Sequence, residues 1–503
     1  MGRRRALTGR PLPGGTALLA ATMLIVVSLS TACTTGAEQA SAGQPFTPCA
    51  TSSASSDAAC VGVLNGAAYE IVMPKEWNGT LLLYSHGYRS AQPVPPDFTP
   101  VSTAAEPAPG WSSGNRAVGE ALLERGYALA GSAYASNGWA VADGVRANEE
   151  LVEYFTSTIG TPERILAWGD SLGGLITAEL AQEHDWIAGA LPMCGVLAGV
   201  NPNFDLGLEL ATIMRTLLVP NLPLTEFDSY EKAMGDFQDA AQRILAAADE
   251  ENPEDNLRLL LAAALVGAPT QTEREDGSTA RSQVAASAEG ILAGLAFGTV
   301  AREELQARLG GNPSSTQGAI FANRLDGSTR SRLVKLSEEL GVRNGEALID
   351  SWLAQLDASA RISPDASART MADTLGAPTG QVRQPTLVVH TGADPLVIVQ
   401  NAYLYADRVR SRGSAGLLRT VVIEPPSTYG SAGAIGSQDS GSRAPYGAGH
   451  CRFTDEQRLG AVSALDAWVQ SGEAPEADEL RQLLGPGAVV DPRGLPWPGG
   501  QQP

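Results

Sequence analysis

The sequence predicts an α/β protein with a mostly parallel, doubly wound sheet. Short apolar runs alternate with amphipathic segments of helical period, the pattern of strands buried on both faces and joined by helices. The alternation stops at about residue 198 and resumes at about residue 381, and the segment between is rich in alanine, leucine and acidic residues. We therefore expect one sheet domain that carries a large helical insertion.

The predicted elements follow from these periodicities. Six apolar runs are predicted as strands: 80–85, 127–132, 164–168, 187–193, 386–390 and 417–423. Amphipathic patterns predict core helices at 116–125, 145–156, 172–184, 399–409 and 455–469. Beyond them the sequence predicts one short helix at 478–484 and then a Pro/Gly-rich tail. The insertion has helical patterns at 227–248, 256–266, 284–295, 302–309, 331–340 and 346–356.

These patterns divide the chain into a core, an insertion and two terminal segments. The insertion is helical, rich in alanine and leucine, and interrupts the strands of the sheet, so we expect it to form a cap or lid over the sheet. The expected boundaries are 1–32 for a signal peptide, 33–57 for a tether, 58–197 and 381–472 for the two parts of the core, 198–380 for the cap and 473–503 for a C-terminal tail.

Composition narrows the class of function. The chain has 503 residues, of which 43% are hydrophobic, so it can bury a sizeable core. Its formal net charge is −20, and a strongly acidic protein repels nucleic-acid phosphates. We expect no nucleic-acid partner.

The N-terminus has the pattern of an export signal. Four arginines up to Arg10 precede the apolar segment 17–29, which is short for a stable membrane span. The sequence Leu-Ser-Thr-Ala-Cys that ends at Cys33 resembles a bacterial lipobox, in which the cysteine is lipidated. This predicts a lipid anchor on the extracellular face of the membrane, and simple secretion is the alternative.

Cysteine usage fits an exported protein. If Cys33 carries lipid, four cysteines remain, and they allow three disulfide connectivities: Cys49, Cys60, Cys194 and Cys451. The short separation of Cys49 and Cys60 favours a local pair, which leaves Cys194 and Cys451 for each other; buried free thiols are the alternative. No cysteine or histidine cluster has the spacing of a zinc site, and we expect no metal.

The segment Gly169-Asp170-Ser171-Leu172-Gly173 predicts a nucleophile. It follows a predicted strand and opens a predicted helix, and in that context Gly-x-Ser-x-Gly forms a sharp turn that exposes the serine hydroxyl. The alternative is an ordinary strand-to-helix turn with no chemical role.

A serine hydroxyl needs a base, and four histidines are available. His184 lies at the polar end of a helix, and His86 and His390 lie at strand ends. His450 lies in a Gly/Ser/Pro-rich loop between the last strand and the last long helix, from which it can reach the serine. We expect His450 to be the base.

The acid that orients the base should lie between the serine and the histidine in the sequence. Asp394 directly follows the predicted strand 386–390, in a turn where a carboxylate is well placed to bond His450. The alternative is a turn aspartate that accepts only local backbone N–H groups, and Glu424 is then the replacement acid.

With these residues the chain resembles the α/β-hydrolase superfamily. The order Ser171, Asp394, His450 is the order of that superfamily, and the resemblance covers the two core segments but not the cap. It implies an α/β-hydrolase fold, no cofactor, and an oxyanion hole from the backbone N–H groups of Tyr88 and Leu172.

The pair His450-Cys451 is also similar to tannase- and feruloyl-esterase-like hydrolases. Those enzymes have a disulfide beside the catalytic serine and histidine, and its other cysteine precedes the serine. Here Asp170 holds that position, while Cys194 ends the strand after the nucleophile strand and lies within reach of Cys451.

The sequence leaves three functions open. The first is an exported serine hydrolase that acts on a small or polymeric ester through an acyl-enzyme. The second is a serine exopeptidase on the same fold, because the triad does not distinguish esters from amides. The third is a non-catalytic surface lipoprotein, against which the complete set of Ser171, Asp394 and His450 argues.

Overall fold

A computed structural model describes residues 58–93, 100–429 and 445–499. The predicted signal peptide, tether and lipidated Cys33 lie outside the described residues. Cys49 does too, so its pairing with Cys60, which is buried in the first strand, stays a prediction.

Within the described residues, one sheet of nine strands organises the core, in the order β1-β2-β4-β3-β5-β6-β7-β8-β9. The six central strands, from β4 to β8, are parallel, whereas β1, β2 and β9 pair antiparallel at the two edges. The strands are β1 Ala58–Leu64, β2 Ala67–Met73, β3 Thr80–Ser85, β4 Ala128–Ser132, β5 Arg164–Asp170, β6 Gly189–Met193, β7 Thr386–Thr391, β8 Leu418–Ile423 and β9 Ala488–Val490.

The edge strands were absent from the sequence prediction. Asn65 and Gly66 form the turn between β1 and β2, both with positive φ (46° and 88°). An Asn-Gly pair between alternating residues is a strong hairpin signal, so this hairpin was predictable. The three-residue strand β9 lies in the segment predicted as a Pro/Gly-rich tail and is too short to have a detectable period.

The described α-helices number fourteen, and each predicted helix corresponds to one of them. They are α1 Ala117–Glu124, α2 Val141–Thr158, α3 Leu172–Glu183, α4 Val200–Leu217, α5 Tyr230–Ala247, α6 Pro253–Leu265, α7 Ala280–Ala296, α8 Arg302–Leu309, α9 Gly327–Glu339, α10 Gly345–Asp357, α11 Ala366–Asp373, α12 Gln400–Ser411, α13 Asp455–Ser471 and α14 Ala477–Leu484.

Helices cover both faces of the sheet because alternate strand residues point to opposite sides. Leu82 and Trp168 pack against α1, α13 and α14. Leu81 and Leu83 pack against α2 and α3 on the other face, where Val388 also packs against α12. This arrangement confirms the predicted doubly wound α/β fold.

Helices α4 to α11 lie between β6 and β7. Of these, α4 to α7, α9 and α10 contribute to a second apolar core, whereas α8 and α11 pack in the apolar cluster on the face of the sheet covered by α2 and α3. Helices α7 and α8 are joined by one π-helical turn, Phe297–Ala301, which forms a continuous helix over Ala280–Leu309. In the described part of the chain this stretch alone is long and apolar enough to span a membrane, but 83% of its most apolar window is buried inside the protein. Its burial is that of a core helix.

Candidate active site

Ser171 lies in the turn between β5 and α3, with a backbone φ of 59° and ψ of −119°. A positive φ is unusual for serine and costs roughly 1–3 kcal/mol, so surrounding contacts must hold it. One such contact is the hydrogen bond that the Ser171 amide donates to the carbonyl of Met193 in β6 (3.0 Å). This is the geometry of a strained strand-to-helix turn that projects its side chain above the strand ends.

Two glycines let neighbouring backbone approach this turn. A Cβ on Gly173 would overlap the carbonyl oxygen of Ser85, at the end of β3. A Cβ on Gly87 would lie 3.3 Å from the Cβ of Ser171 and 3.9 Å from its Oγ. The turn that follows β3 therefore lies directly beside the serine hydroxyl.

Asp394 lies in the turn after β7 and is 1% exposed. Its Oδ1 accepts hydrogen bonds from the amides of Leu396 and Val397, both 2.9 Å, and its Oδ2 lies 2.8 Å from Nδ1 of His450. The Asp394 carboxylate thus accepts the backbone N–H groups of its own turn and also orients His450. The interpretation as a turn aspartate and the interpretation as the acid are therefore compatible. The exposed Glu424 has no hydrogen bond to His450 among the described residues.

The environment of Asp394 keeps the carboxylate ionised. Burial acts to raise its pKa, but the charge of His450 and hydrogen bonds from His450 and Val397 outweigh burial, so the pKa is lowered. An ionised Asp394 stabilises the protonated imidazole that forms when a base accepts a proton.

Backbone hydrogen bonds hold the loop of His450 alongside the turn of Asp394. The amide of Ala393 donates to the carbonyl of Gly447 (3.0 Å), and the amide of Gly449 donates to the carbonyl of Ala393 (2.9 Å). The hydroxyl of Thr391 also donates to the carbonyl of Gly449 (2.9 Å). These bonds fix the backbone on the N-terminal side of the histidine.

The structure brings the three predicted residues into one chain of hydrogen bonds. Nε2 of His450 lies 2.8 Å from Oγ of Ser171, and Nδ1 lies 2.8 Å from Oδ2 of Asp394. With the proton on Nδ1 donated to Asp394, Nε2 is free to accept the proton of the serine hydroxyl.

The turn at 86–88 and the start of α3 present two backbone amides near Ser171. Leu172 is the first residue of α3, where amides have no intrahelical acceptor. Among the described residues, neither the Leu172 amide nor the Tyr88 amide has a hydrogen-bond acceptor. Their position suits the stabilisation of negative charge on an oxygen beside the serine.

The contacts of the other three histidines are with groups other than Ser171. Nδ1 of His86 lies 2.7 Å from the carbonyl of Gly87, and its ring stacks on Tyr134 with centroids 4.0 Å apart. His390 is fully buried, with Nδ1 3.0 Å from the carbonyl of Thr391, and burial lowers its pKa. His184 is partly exposed, 2.8 Å from Glu149, as expected for a surface residue.

A disulfide joins Cys194 to Cys451, the residue after His450, with Cα atoms 5.4 Å apart. Sγ of Cys451 lies 3.4 Å from Nε2 of His450. The two sulfurs and the imidazole are close enough to suggest a metal site, but zinc binds thiolates and the disulfide has none.

A buried ion pair links the residue before the nucleophile to the residue after the histidine. Arg458 of α13 donates to both oxygens of Asp170 (2.9 and 2.7 Å) and to the carbonyl of Cys451 (3.2 Å). The hydroxyl of Tyr84 also donates to Asp170 (3.3 Å). Sequence reasoning missed Arg458, because nothing local marks a helix arginine as the partner of a residue 288 positions away.

The insertion also contacts the histidine loop. Arg452 donates two hydrogen bonds, of 2.8 and 2.7 Å, to Glu273 in the loop between α6 and α7. Glu273 packs so closely on Gly449 that a Cβ there would overlap its carboxylate. Ser171 itself is only 4% exposed, so the site is covered in this conformation.

Comparison with known proteins adds only weak similarities. No protein-family profile and no curated protein matches the chain. It is similar to solved structures of feruloyl esterase B from Aspergillus oryzae (14% identical, TM-score 0.37, 86% of this chain and 83% of that one) and proline iminopeptidase from Mycobacterium smegmatis (12%, TM-score 0.31, 82% and 100%). Similarities this weak carry no argument about function, which rests on the geometry of the site.

The sheet order and the strained turn after β5 define the class of fold. A mostly parallel sheet with β3 and β4 exchanged, a Gly-x-Ser-x-Gly turn after β5 and an acid after β7 are the features of α/β-hydrolases. The fold is that of the α/β-hydrolase superfamily, as the sequence predicted.

Proposed function

We propose that the protein is a serine hydrolase that cleaves carboxylic esters through Ser171, His450 and Asp394. The observation that carries the proposal is the pair of 2.8 Å contacts from His450 to the serine Oγ and to the Asp394 carboxylate. Three side chains from distant parts of the sequence meet in the order that nucleophilic catalysis requires.

The proposed reaction has two steps. His450 accepts the proton of Ser171 as Oγ attacks the ester carbonyl, and the amides of Tyr88 and Leu172 stabilise the oxyanion. The alcohol leaves with the proton from His450, and the acyl group stays bound to Oγ of Ser171 as an acyl-enzyme. A water molecule, deprotonated by His450, then attacks the acyl carbonyl. The bond to Oγ breaks as His450 returns the proton to Ser171, and the carboxylic acid is released.

A panel of substrates tests this proposal. Purified protein should hydrolyse p-nitrophenyl esters, and Ser171→Ala should lower kcat by roughly 10³-fold or more without changing the thermal melt. Aminoacyl p-nitroanilides in the same panel test the exopeptidase alternative. A fluorophosphonate probe should label Ser171, and labelling at another serine of an active preparation would contradict the assignment.

We also propose that the protein is exported and held at the outer face of the membrane by lipid on Cys33. The arginine-rich start, the apolar segment 17–29 and the disulfide between Cys194 and Cys451 support export, because disulfides persist in oxidising compartments. Labelling with a radioactive fatty acid should mark the native chain and not Cys33→Ala. Recovery of the native chain in the cytosol would contradict export.

A further inference from the structure

A narrow cavity lies between the turn after Asp394 and the helices of the insertion. We name it the cap cavity; its walls include Leu206 and Leu210 of α4, Gly290 and Gly294 of α7, and Leu396 and Val397. Helix α7 presents glycines there, so its backbone forms one wall. Leu206, Leu210 and Val397 are each less than one-tenth exposed, so the cavity is deep.

Two sets of contacts connect the walls of the cap cavity to the candidate active site. Leu396 and Val397 donate their amides to Asp394, and Phe297, another wall residue, lies 6.3 Å from Tyr88, ring centroid to ring centroid. Leu396, Val397 and Phe297 belong to the same apolar cluster as Leu172, the residue after the nucleophile. The cavity therefore shares wall residues with the turn of Asp394 and has Phe297 beside Tyr88, on the side of the site where the insertion packs.

The chemistry of the walls favours an apolar group. Among the described residues no charged side chain lines the cavity. Its polar wall residue is Asn203, whose Nδ2 donates to Gly199 and Asn401 (both 2.9 Å) and whose Oδ1 accepts from Asn401 (3.2 Å). The side-chain amide of Asn203 is already used in these hydrogen bonds and has little capacity left to bind a polar ligand. A charged group in the cavity would be buried without a partner.

The size of the cavity favours a short group. Its volume is about 40 Å³. One water needs roughly 10–15 Å³ on the same measure, so the space suits only a few heavy atoms. A deep cavity also suits the acyl part of an ester, which stays on the serine until water arrives, better than the alcohol, which must leave.

We infer that the cap cavity binds the acyl group of the substrate and restricts it to short aliphatic chains, from acetyl to about butyryl. This inference rests on the proposed ester hydrolysis at Ser171. Phe297, the wall residue whose ring packs near Tyr88, lies in the π-helical turn between α7 and α8, and π-helical turns are frequent at functional sites.

The test is a series of p-nitrophenyl esters from acetate to decanoate. For the native protein kcat/KM should be highest for two to four carbons and lower by roughly tenfold or more at eight. Leu206→Ala and Leu210→Ala should each raise the octanoate-to-acetate ratio of kcat/KM about fivefold or more, because they lengthen the cavity. Ala268→Leu, which fills it, should lower the butyrate-to-acetate ratio.

Leu261→Ala is the matched control, since Leu261 is equally buried in the insertion but does not line the cavity. Its chain-length profile should match that of the native protein, and circular dichroism and fluorophosphonate labelling should show which variants are folded. If folded variants hydrolyse esters with an unchanged profile, the cavity does not bind the acyl group. If the native protein shows no Ser171-dependent ester hydrolysis, the proposed function itself fails.

Discussion

At the scale of single residues, the site depends on contacts that hold a strained serine and a loop histidine. Ser171 is held at its positive φ by the hydrogen bond that its amide donates to the carbonyl of Met193 and by α3, which begins at the next residue. Arg458 then ties Asp170, on one side of the serine, to the carbonyl of Cys451, on one side of the histidine. A small displacement of either residue would separate Nε2 of His450 from the serine hydroxyl.

Arg458→Met should therefore destabilise the protein by about 3–5 kcal/mol, because it leaves the buried carboxylate of Asp170 without its cation. Urea unfolding of the native protein and the variant measures this change in the free energy of unfolding. The double variant Asp170→Asn, Arg458→Met should recover part of the loss, since no buried charge remains unpaired. If Arg458→Met is as stable as the native protein, water stabilises the Asp170 carboxylate in place of the arginine.

At the scale of elements, the loop between α6 and α7 connects the insertion to the catalytic loop. Arg452 and Glu273 are joined by two hydrogen bonds, but both side chains are partly exposed, 40% and 35%. Exposed ion pairs contribute roughly 0–1 kcal/mol to stability, so we expect this pair to act mainly on the position of His450.

Glu273→Gln should lower kcat by about tenfold while KM and the thermal melt stay nearly unchanged, because small displacements of catalytic groups are costly. Steady-state kinetics at low and high salt measures the effect. The difference in kcat between the native protein and the variant should shrink at high salt, because salt screens the ion pair of the native protein. Glu275→Gln, in the same loop, is the matched control and should behave like the native protein. An unchanged kcat in Glu273→Gln would show that the histidine loop is held without the insertion.

At the scale of the whole molecule, the disulfide between Cys194 and Cys451 connects the two parts of the core across the entire insertion. The two cysteines are 257 positions apart in the sequence. Closing a loop of that length destabilises the unfolded chain by about 5.5 kcal/mol in the entropy model. The same bond holds the residue next to His450 against the end of β6.

Cys451→Ser should lose both stability and turnover, and the loss of turnover should persist at temperatures where the variant is fully folded. The reason is that the loop of His450 then lacks its covalent attachment to β6. Peptide mapping without reduction should recover the 194–451 pair and, as the sequence predicts, a separate 49–60 pair. A folded Cys451→Ser protein with native kcat would show that hydrogen bonds alone hold the histidine.

Features that depend on neighbouring residues were predictable from the sequence alone. Apolar runs and helical periods predicted the central strands and the helices around them, and the turn at 169–173 indicated Ser171, because each signal lies within a few positions. The order of Ser171, Asp394 and His450 added the expected partners. The Asn65-Gly66 hairpin was also within reach of local reasoning, although it was missed.

Which distant side chains meet depends on tertiary packing. The pairs Asp170–Arg458 and Glu273–Arg452 join residues 288 and 179 positions apart, and the walls of the cap cavity come from separate segments between Val196 and Ile398. An arginine or a leucine on a helix has the same local pattern whichever surface it faces. Its partner is set by how the helices of the insertion and the core pack, and packing depends on the shape of the whole chain.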